Sequence, residues 1–301
     1  MPNLNKIVED LLKTIGGATD GFNASIDPIQ RSIYNDIEML VKDLDLNGNK
    51  LANTVKNIRA IGALKKKIER VILNKDYVDS VKEYVKAFKE VSKLQDSYFN
   101  ELSNEAGPTK LLDAIREQSI GQAVESLTES GISANVTKGI QDILKRNITS
   151  GGSYTDLLSQ MRNFILTNES GTGALERYTK QITTDSLNQF SAQYSQTLTA
   201  DLNFEWFMYV GSNKATTREF CDLLTKKKYV HISELPDIIN GIIDGKKVPI
   251  NPKTKLWHGA VAGTNTSNFQ INRGGHGCDH QFLAVSSEVV PKTIRAKFEK
   301  I

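Results

Sequence analysis

A mainly α chain, with a long helical N-terminal region followed by a small α+β module, is the fold class this sequence predicts. Three observations carry it. Apolar residues recur at three- and four-residue spacing through much of the first 170 residues. The stretch Phe204–Val210 is instead alternating and rich in aromatic side chains. Both cysteines and all four histidines fall between Cys221 and His280, so the last third differs chemically from the rest. At 301 residues the chain is long enough to bury a core in one large domain or two ordinary ones. The division is expected at residues 1–170, a helical bundle or extended helical region, and 171–301, the α+β module.

Asp27-Pro28 predicts a helix start, with a side-chain acceptor at the cap and a proline in the first turn, where its missing N–H is not needed. Ile29, Ile33, Ile37, Leu40, Val41 and Leu44 then share one helical face. Asn47-Gly48-Asn49 reads as a turn, and Leu51, Val55, Ile58, Ile61, Leu64, Ile68 and Val71 repeat the pattern. A third segment carries Val81, Tyr84, Phe88, Val91, Tyr98 and Leu102 at near-heptad intervals, with Gln95 interrupting the seam. Short connections favour an antiparallel bundle, and pairing of the longest helix with another copy or another protein is the alternative. Gly107-Pro108 is expected to end the third helix. Shorter amphipathic pieces follow near Leu111–Leu127 and Val136–Ile148. Thr149–Ser153 reads as a hinge, Tyr154–Leu166 as a helix, 168–173 as a second flexible break, and Ala174–Leu202 as a helix. Phe204–Val210 is a strand ended by Gly211, and the short elements and Gly-rich turns beyond it suit a module shaped by its loops.

Hydrophobic residues at 39% and charged residues at 24% exclude a disordered or fibrous chain. A formal charge of +3 does not mark a nucleic-acid binder, and the clusters Lys65-Lys66-Lys67 with Arg70 and Lys226-Lys227-Lys228 read as solvated faces. No apolar run approaches the roughly 20 residues a bilayer requires, and the N-terminus lacks the pattern of a secretion signal. A cytosolic origin and no membrane partner are therefore expected.

Two cysteines in a chain of this length do not make a disulfide framework. Cys221, His276, Cys278 and His280 are instead the candidate metal ligands, since tetrahedral zinc accepts such nitrogen and sulfur donors and can staple a loop-rich module. The spacing is not a standard finger, because Leu224 stands three residues after Cys221. A Cys221–Cys278 disulfide, or buried thiols packed beside hydrogen-bonded imidazoles, are the other two readings. Metal-activated water at His276 and His280 beside Asp279, or a Cys278 nucleophile, would be the catalytic forms. No set of acid, base and oxyanion donors can be placed from sequence, so no enzyme is expected. Gly259–Asn265 lacks the Gly-Lys-Ser/Thr ending of a phosphate loop and reads as a turn. Gly274-Gly275 reads as a tight bend, and Trp206 and Trp257 as aromatic anchors of the small core.

An ordered series of segments resembles the C-terminal domain of the Mu F-like phage head morphogenesis and minor capsid proteins. It comprises ALERYTKQITTDSLNQFSAQYSQTL, FEWFMYVG, TTREFC, KKKYV, LWHGAVAGTN and NRGGHGCDHQFLAV, over about residues 174–286. Members usually carry a second cysteine where Leu224 stands here, and a Cys-Arg-His form where this chain has Cys278-Asp279-His280. The resemblance implies a low-copy virion structural protein, made in the bacterial host cytoplasm and located in the head, portal or neck region. It implies the portal protein or the major capsid protein as partners, with phage DNA a further one, and assembly-dependent oligomers. The helical N-terminal part would then supply docking faces. A metal-dependent nuclease or hydrolase using the Cys/His cluster is the first alternative. A DNA-binding packaging or ejection accessory factor, whose binding would weaken steeply with salt, is the second.

Overall fold

Forty consecutive residues form the first helix, α1 (Pro2–Val41), in the computed structural model, which describes residues 2–103, 109–169, 171–199, 202 and 204–298. The helix start expected at Asp27-Pro28 is absent, and the helix runs through Pro28. Ile7, Leu11, Ile15, Phe22 and Ile26 are buried ahead of it, at the same spacing as Ile29, Ile33 and Ile37 after it. Each such side chain contributes roughly 1.5–3 kcal/mol when fully buried, so two or three offset the about 3 kcal/mol that an interior proline costs. Asp27 does not cap; its carboxylate pairs with Arg31 one turn on, at 2.8 Å.

The expected turn at Asn47-Gly48-Asn49 closes a small antiparallel hairpin of β1 (Leu46–Asn47) and β2 (Lys50–Leu51), in register Leu46↔Leu51. Leu51 therefore belongs to a strand, not to the helical set in which its spacing placed it. The second helix, α2 (Val55–Ile72), begins after Thr54, whose hydroxyl accepts the Asn57 N–H. Its inward face is Asn57, Leu64, Ile68 and Ile72, whereas Val55 and Ile58 are 66% and 43% exposed. The displacement has a polar cause. The Asn57 amide donates to the carbonyls of Asp45 and Ala52 at 2.9 and 2.7 Å and accepts the Asp45 N–H at 2.8 Å. Three backbone groups of the hairpin connection are satisfied by one buried side chain, which outweighs the apolar pattern locally.

Helix α3 (Lys75–Leu102) buries Val81, Tyr84, Phe88, Val91 and Tyr98 as its spacing predicts, and Gln95 with them. The expected stop at Gly107-Pro108 lies outside the described residues. Next come α4 (Lys110–Thr128), one turn of helix α5 (Ser130–Ile132), a π-helical turn at Ser133–Thr137, and α6 (Lys138–Ser150). Gly151 ends α6 in the left-handed region, at φ 65°, where glycine avoids the Cβ penalty. The expected hinge at 149–153 is instead tied to the hairpin. Leu51 N–H donates to the Gly152 carbonyl and Tyr154 N–H to the Asn49 carbonyl, both at 2.9 Å. Helix α7 (Tyr154–Ile165) is capped by Ser153. Asn168 and Gly171 then exchange a pair of backbone hydrogen bonds ahead of α8 (Ala174–Thr199).

The last third contains β3 (Trp206–Val210), α9 (Glu219–Lys227), β4 (Tyr229–His231), α10 (Leu235–Ile239), the pair β5 (Ile242–Ile243) and β6 (Lys246–Lys247), α11 (Phe269–Asn272), β7 (Gln281–Val285) and α12 (Lys292–Arg295). Strand order is β4-β3-β7, both pairings antiparallel, with Trp206 opposite Val285 and Val210 opposite Gln281. As the central strand, β3 buries Trp206 through Tyr209 without alternation. The chain is thus mainly α, with a helical N-terminal region and a small strand-containing C-terminal module. Among the described residues no helix is long and apolar enough to cross a membrane.

Contacts divide the chain into two compact units, Met1–Gly17, Ala87–Ser119 and Thr184–Ile301 in one, Ala18–Lys86 and Ile120–Thr183 in the other. This differs from a boundary at 170/171, which followed composition along the chain, because α1, α3, α4 and α8 each contribute residues to both units. In the second unit Phe22 meets Tyr77 and Tyr84 edge-on, and the two hydroxyls donate to the carbonyls of Leu127 and Thr183 at 2.7 Å each. In the first, Tyr98 of α3 donates to the Ala284 carbonyl of β7 at 2.9 Å, and Phe88 packs on Phe190. Gln95 is held in its seam through its amide nitrogen, while its buried Oε1 has no hydrogen-bond partner. Its amide donates to the Ser191 hydroxyl (2.9 Å), which donates to Gln281 Oε1 (3.0 Å), and the Gln281 amide donates to Asn188 Oδ1 (2.6 Å). This buried relay ties two helices to the first residue of β7.

Candidate metal centre

Two chain segments converge at the open end of the sheet. Cys221 lies on the buried face of α9 with Phe220 and Leu224. Leu224 is fully buried, so it packs in the core three residues after Cys221. The 273–280 loop, between α11 and β7, carries Cys278 and His280. Because Val210 pairs with Gln281, His280 lands beside the end of β3. Gly211 leaves room for it: a Cβ there would lie 2.7 Å from His280 Cδ2.

Cys221 Sγ and Cys278 Sγ are 4.0 Å apart and both thiols are free. Cys278 Sγ lies 3.6 Å from His280 Nδ1. All three side chains are buried, and their donor atoms lie within 4.8 Å of one another. Three of the four expected ligands are thus brought together. His276 is not one of them: its side chain is exposed and acts on the Asp185 carboxylate, and its backbone accepts from Arg218 and donates to the Gly259 carbonyl. His258 is also exposed, and His231 Nδ1 lies 2.7 Å from the Ser233 hydroxyl, capping a short 3₁₀ turn.

The second layer was not legible in advance. His280 Nε2 is 3.1 Å from Asn213 Oδ1, and Asn213 Nδ2 donates to Asp222 Oδ1 at 2.9 Å. A carboxylate only accepts, so Asp222 orients the Asn213 amide with its oxygen toward His280. With that oxygen facing it, Nε2 is the donor of the pair, and Nδ1 faces the sulfurs. The Tyr209 ring stacks on His280 at 5.2 Å, and its hydroxyl lies 3.5 Å from Cys278 Sγ. The Gly274 backbone presses on both sulfurs: a Cβ there would sit 2.4 Å from Cys278 Sγ and 2.6 Å from Cys221 Sγ. Trp257 stacks flat on Phe220 at 3.9 Å and donates to the Gly274 carbonyl, so the expected anchor supports this loop.

Arg273 is buried at φ 26° and donates to the carbonyls of Ile271, Cys278 and His280. A buried guanidinium needs a counter-charge, and the Cys278 sulfur is suited to supply one. The hydrogen bond from Cys221 draws the Cys278 thiol well below its ordinary range, with His280 and Arg273 acting the same way against burial. The same hydrogen bond, then burial, pushes Cys221 up. Ser212, Thr217 and Arg218 border the site on a shallow cleft, with the Lys214–Asp279 ion pair (2.6 Å) also on its wall. The sequence signal for this layer was Gly274-Gly275, which read as a tight bend.

The arrangement defines a mainly α chain whose C-terminal module holds a buried two-thiol, one-imidazole centre. No protein-family model, no curated protein and no solved structure matches the chain.

Proposed function

We propose that the protein is a structural component of a bacteriophage virion, acting in head morphogenesis at the portal, the capsid interior or the neck, without enzymatic activity. The observation that carries this reading is the ordered series of segments over residues 174–286 that resembles the Mu F-like minor capsid domain. The physical layout is in keeping with it. From Thr184 onward these segments lie in one compact unit, and they supply the central strand, the paired sulfurs and the loop around them. The partners of this reading are the portal protein and the major capsid protein, and the site of action is the virion assembled in a bacterial host.

The test is co-purification of the full chain with portal and major capsid proteins, together with mass spectrometry of purified heads. Portal binding and presence in heads at low copy are expected; absence from heads together with no binding to either protein overturns the reading. A metal-dependent nuclease or hydrolase is the second reading, favoured by the cleft beside the Cys221, Cys278 and His280 donors. It requires nucleic-acid hydrolysis that is lost in His280→Ala with folding unchanged.

A further inference from the structure

We propose that Cys221, Cys278 and His280 form a three-ligand site for a soft or borderline divalent cation, zinc above all, with the fourth coordination position facing the Ser212–Arg218 cleft. Two of the three donor separations fit the ion, and the third lies within 4.8 Å. With Zn–S near 2.3 Å and Zn–N near 2.05 Å, tetrahedral geometry puts two sulfurs about 3.8 Å apart and a sulfur and a nitrogen about 3.6 Å apart. The structure has 4.0 Å for Cys221 Sγ to Cys278 Sγ and 3.6 Å for Cys278 Sγ to His280 Nδ1. A disulfide would need the sulfurs at about 2.05 Å.

The second layer fits as well. A metal-bound imidazole typically donates its other N–H to a fixed acceptor, which sets the tautomer and the ring plane. Here His280 Nε2 meets Asn213 Oδ1, Asn213 is oriented by Asp222, and Asp222 is paired with Lys226 at 2.6 Å. The Arg273 guanidinium holds the carbonyls of Cys278 and His280, fixing the ligand loop. Gly274 has no Cβ at the point where one would fill the space between the sulfurs. Two thiolates and an imidazole select against magnesium and calcium, which prefer oxygen. Three protein ligands with a fourth position on a cleft leave that position to water or to an incoming donor.

The experiment is cobalt titration of the reduced, chelator-treated full chain, followed by zinc competition. One cobalt per chain is expected, with thiolate-to-cobalt charge transfer and the visible bands of a tetrahedral site, displaced by one equivalent of zinc. Cys278→Ser and His280→Ala should weaken binding at least tenfold, and Asn213→Leu by about 10–100-fold, whereas His276→Ala should leave it unchanged. Circular dichroism of each variant checks folding; if the ligand variants unfold, Asn213→Leu and His276→Ala still decide the matter. Azide should shift the visible bands if the fourth position is open, and an unshifted spectrum overturns that part. No cobalt uptake, uptake undiminished in Cys278→Ser, or loss in His276→Ala overturns the site. Metal uptake and portal binding are separate readouts, so either reading can fail without the other.

Discussion

Replacing Gln281 by leucine removes the middle of the buried relay in the first unit. Its amide donates to Asn188 Oδ1 at 2.6 Å, its oxygen accepts from Ser191 at 3.0 Å, and the side chain is fully buried. The variant loses two hydrogen bonds and leaves the Ser191 hydroxyl proton and Asn188 Oδ1 without partners away from water. At about 1–2 kcal/mol for each bond and the group it orphans, the expected cost is about 2–4 kcal/mol. Urea unfolding followed by tryptophan fluorescence is the assay, since Trp206 and Trp257 both belong to this unit. Gln95→Leu removes the head of the same relay, where the amide donates to Ser191 at 2.9 Å. Because both variants disturb Ser191, the double variant should cost less than the sum by roughly 0.5–3 kcal/mol. Strict additivity, or a Gln281→Leu cost under about 0.5 kcal/mol, would refute the idea that these groups act as one network.

Two further outcomes are expected. Tyr77→Phe keeps the ring against Phe22 but removes the hydroxyl that donates to the Leu127 carbonyl at 2.7 Å; it should destabilise by about 1–1.5 kcal/mol in thermal melts read by circular dichroism, and an unchanged melt would contradict the role assigned to that hydrogen bond. Asp96 is half-buried beside Tyr194, and burial raises its carboxyl above the ordinary range against the opposing effects of the Tyr194 hydroxyl and Arg116. A raised acid binds its proton more tightly when folded, so stability falls as pH rises from the ordinary carboxylate range through the raised value and stays lower above it. Asp96→Asn keeps an acceptor for Tyr194 and should remove this dependence, gaining stability relative to the parent only at the higher pH; a pH-independent difference between the two proteins would count against it.

Much of the helical architecture was readable because helical periodicity is a local property. The face of α3 follows from spacing alone, and the extent of α7 matches the helix expected over Tyr154–Leu166 to within a residue. The readings that failed did so where a distant contact outweighed a local rule. Pro28 carries a strong start signal, but continued burial on both sides keeps α1 intact. Leu51 has helical spacing and still joins a strand, and Asn57 turns the face of α2 because its buried amide bonds the backbone of Asp45 and Ala52. The segment at 149–153 has the composition of a hinge and is nonetheless held by backbone hydrogen bonds to the hairpin. Gln95 looked like an interruption of an apolar seam, and its partners Ser191 and Gln281 lie more than ninety residues away.

By itself the sequence determined the mainly α class, the change of character after Phe204, and the concentration of thiols and imidazoles in the last third. Those depend on composition and on short-range spacing. Which of these side chains meet was decided only by tertiary structure. Cys221 and Cys278 stand 57 positions apart and approach because α9 and the 273–280 loop are both anchored at the end of β3. His276 and Cys278 are two residues apart, yet one is exposed and the other buried. Between and beside them the chain turns through positive φ at Gly275 (91°) and Gly277 (64°), and the pairing of Val210 with Gln281 then turns His280, not His276, toward the sulfurs. Sequence proximity could not decide that choice, because it depends on turn handedness and on the register of a strand that begins only after the site.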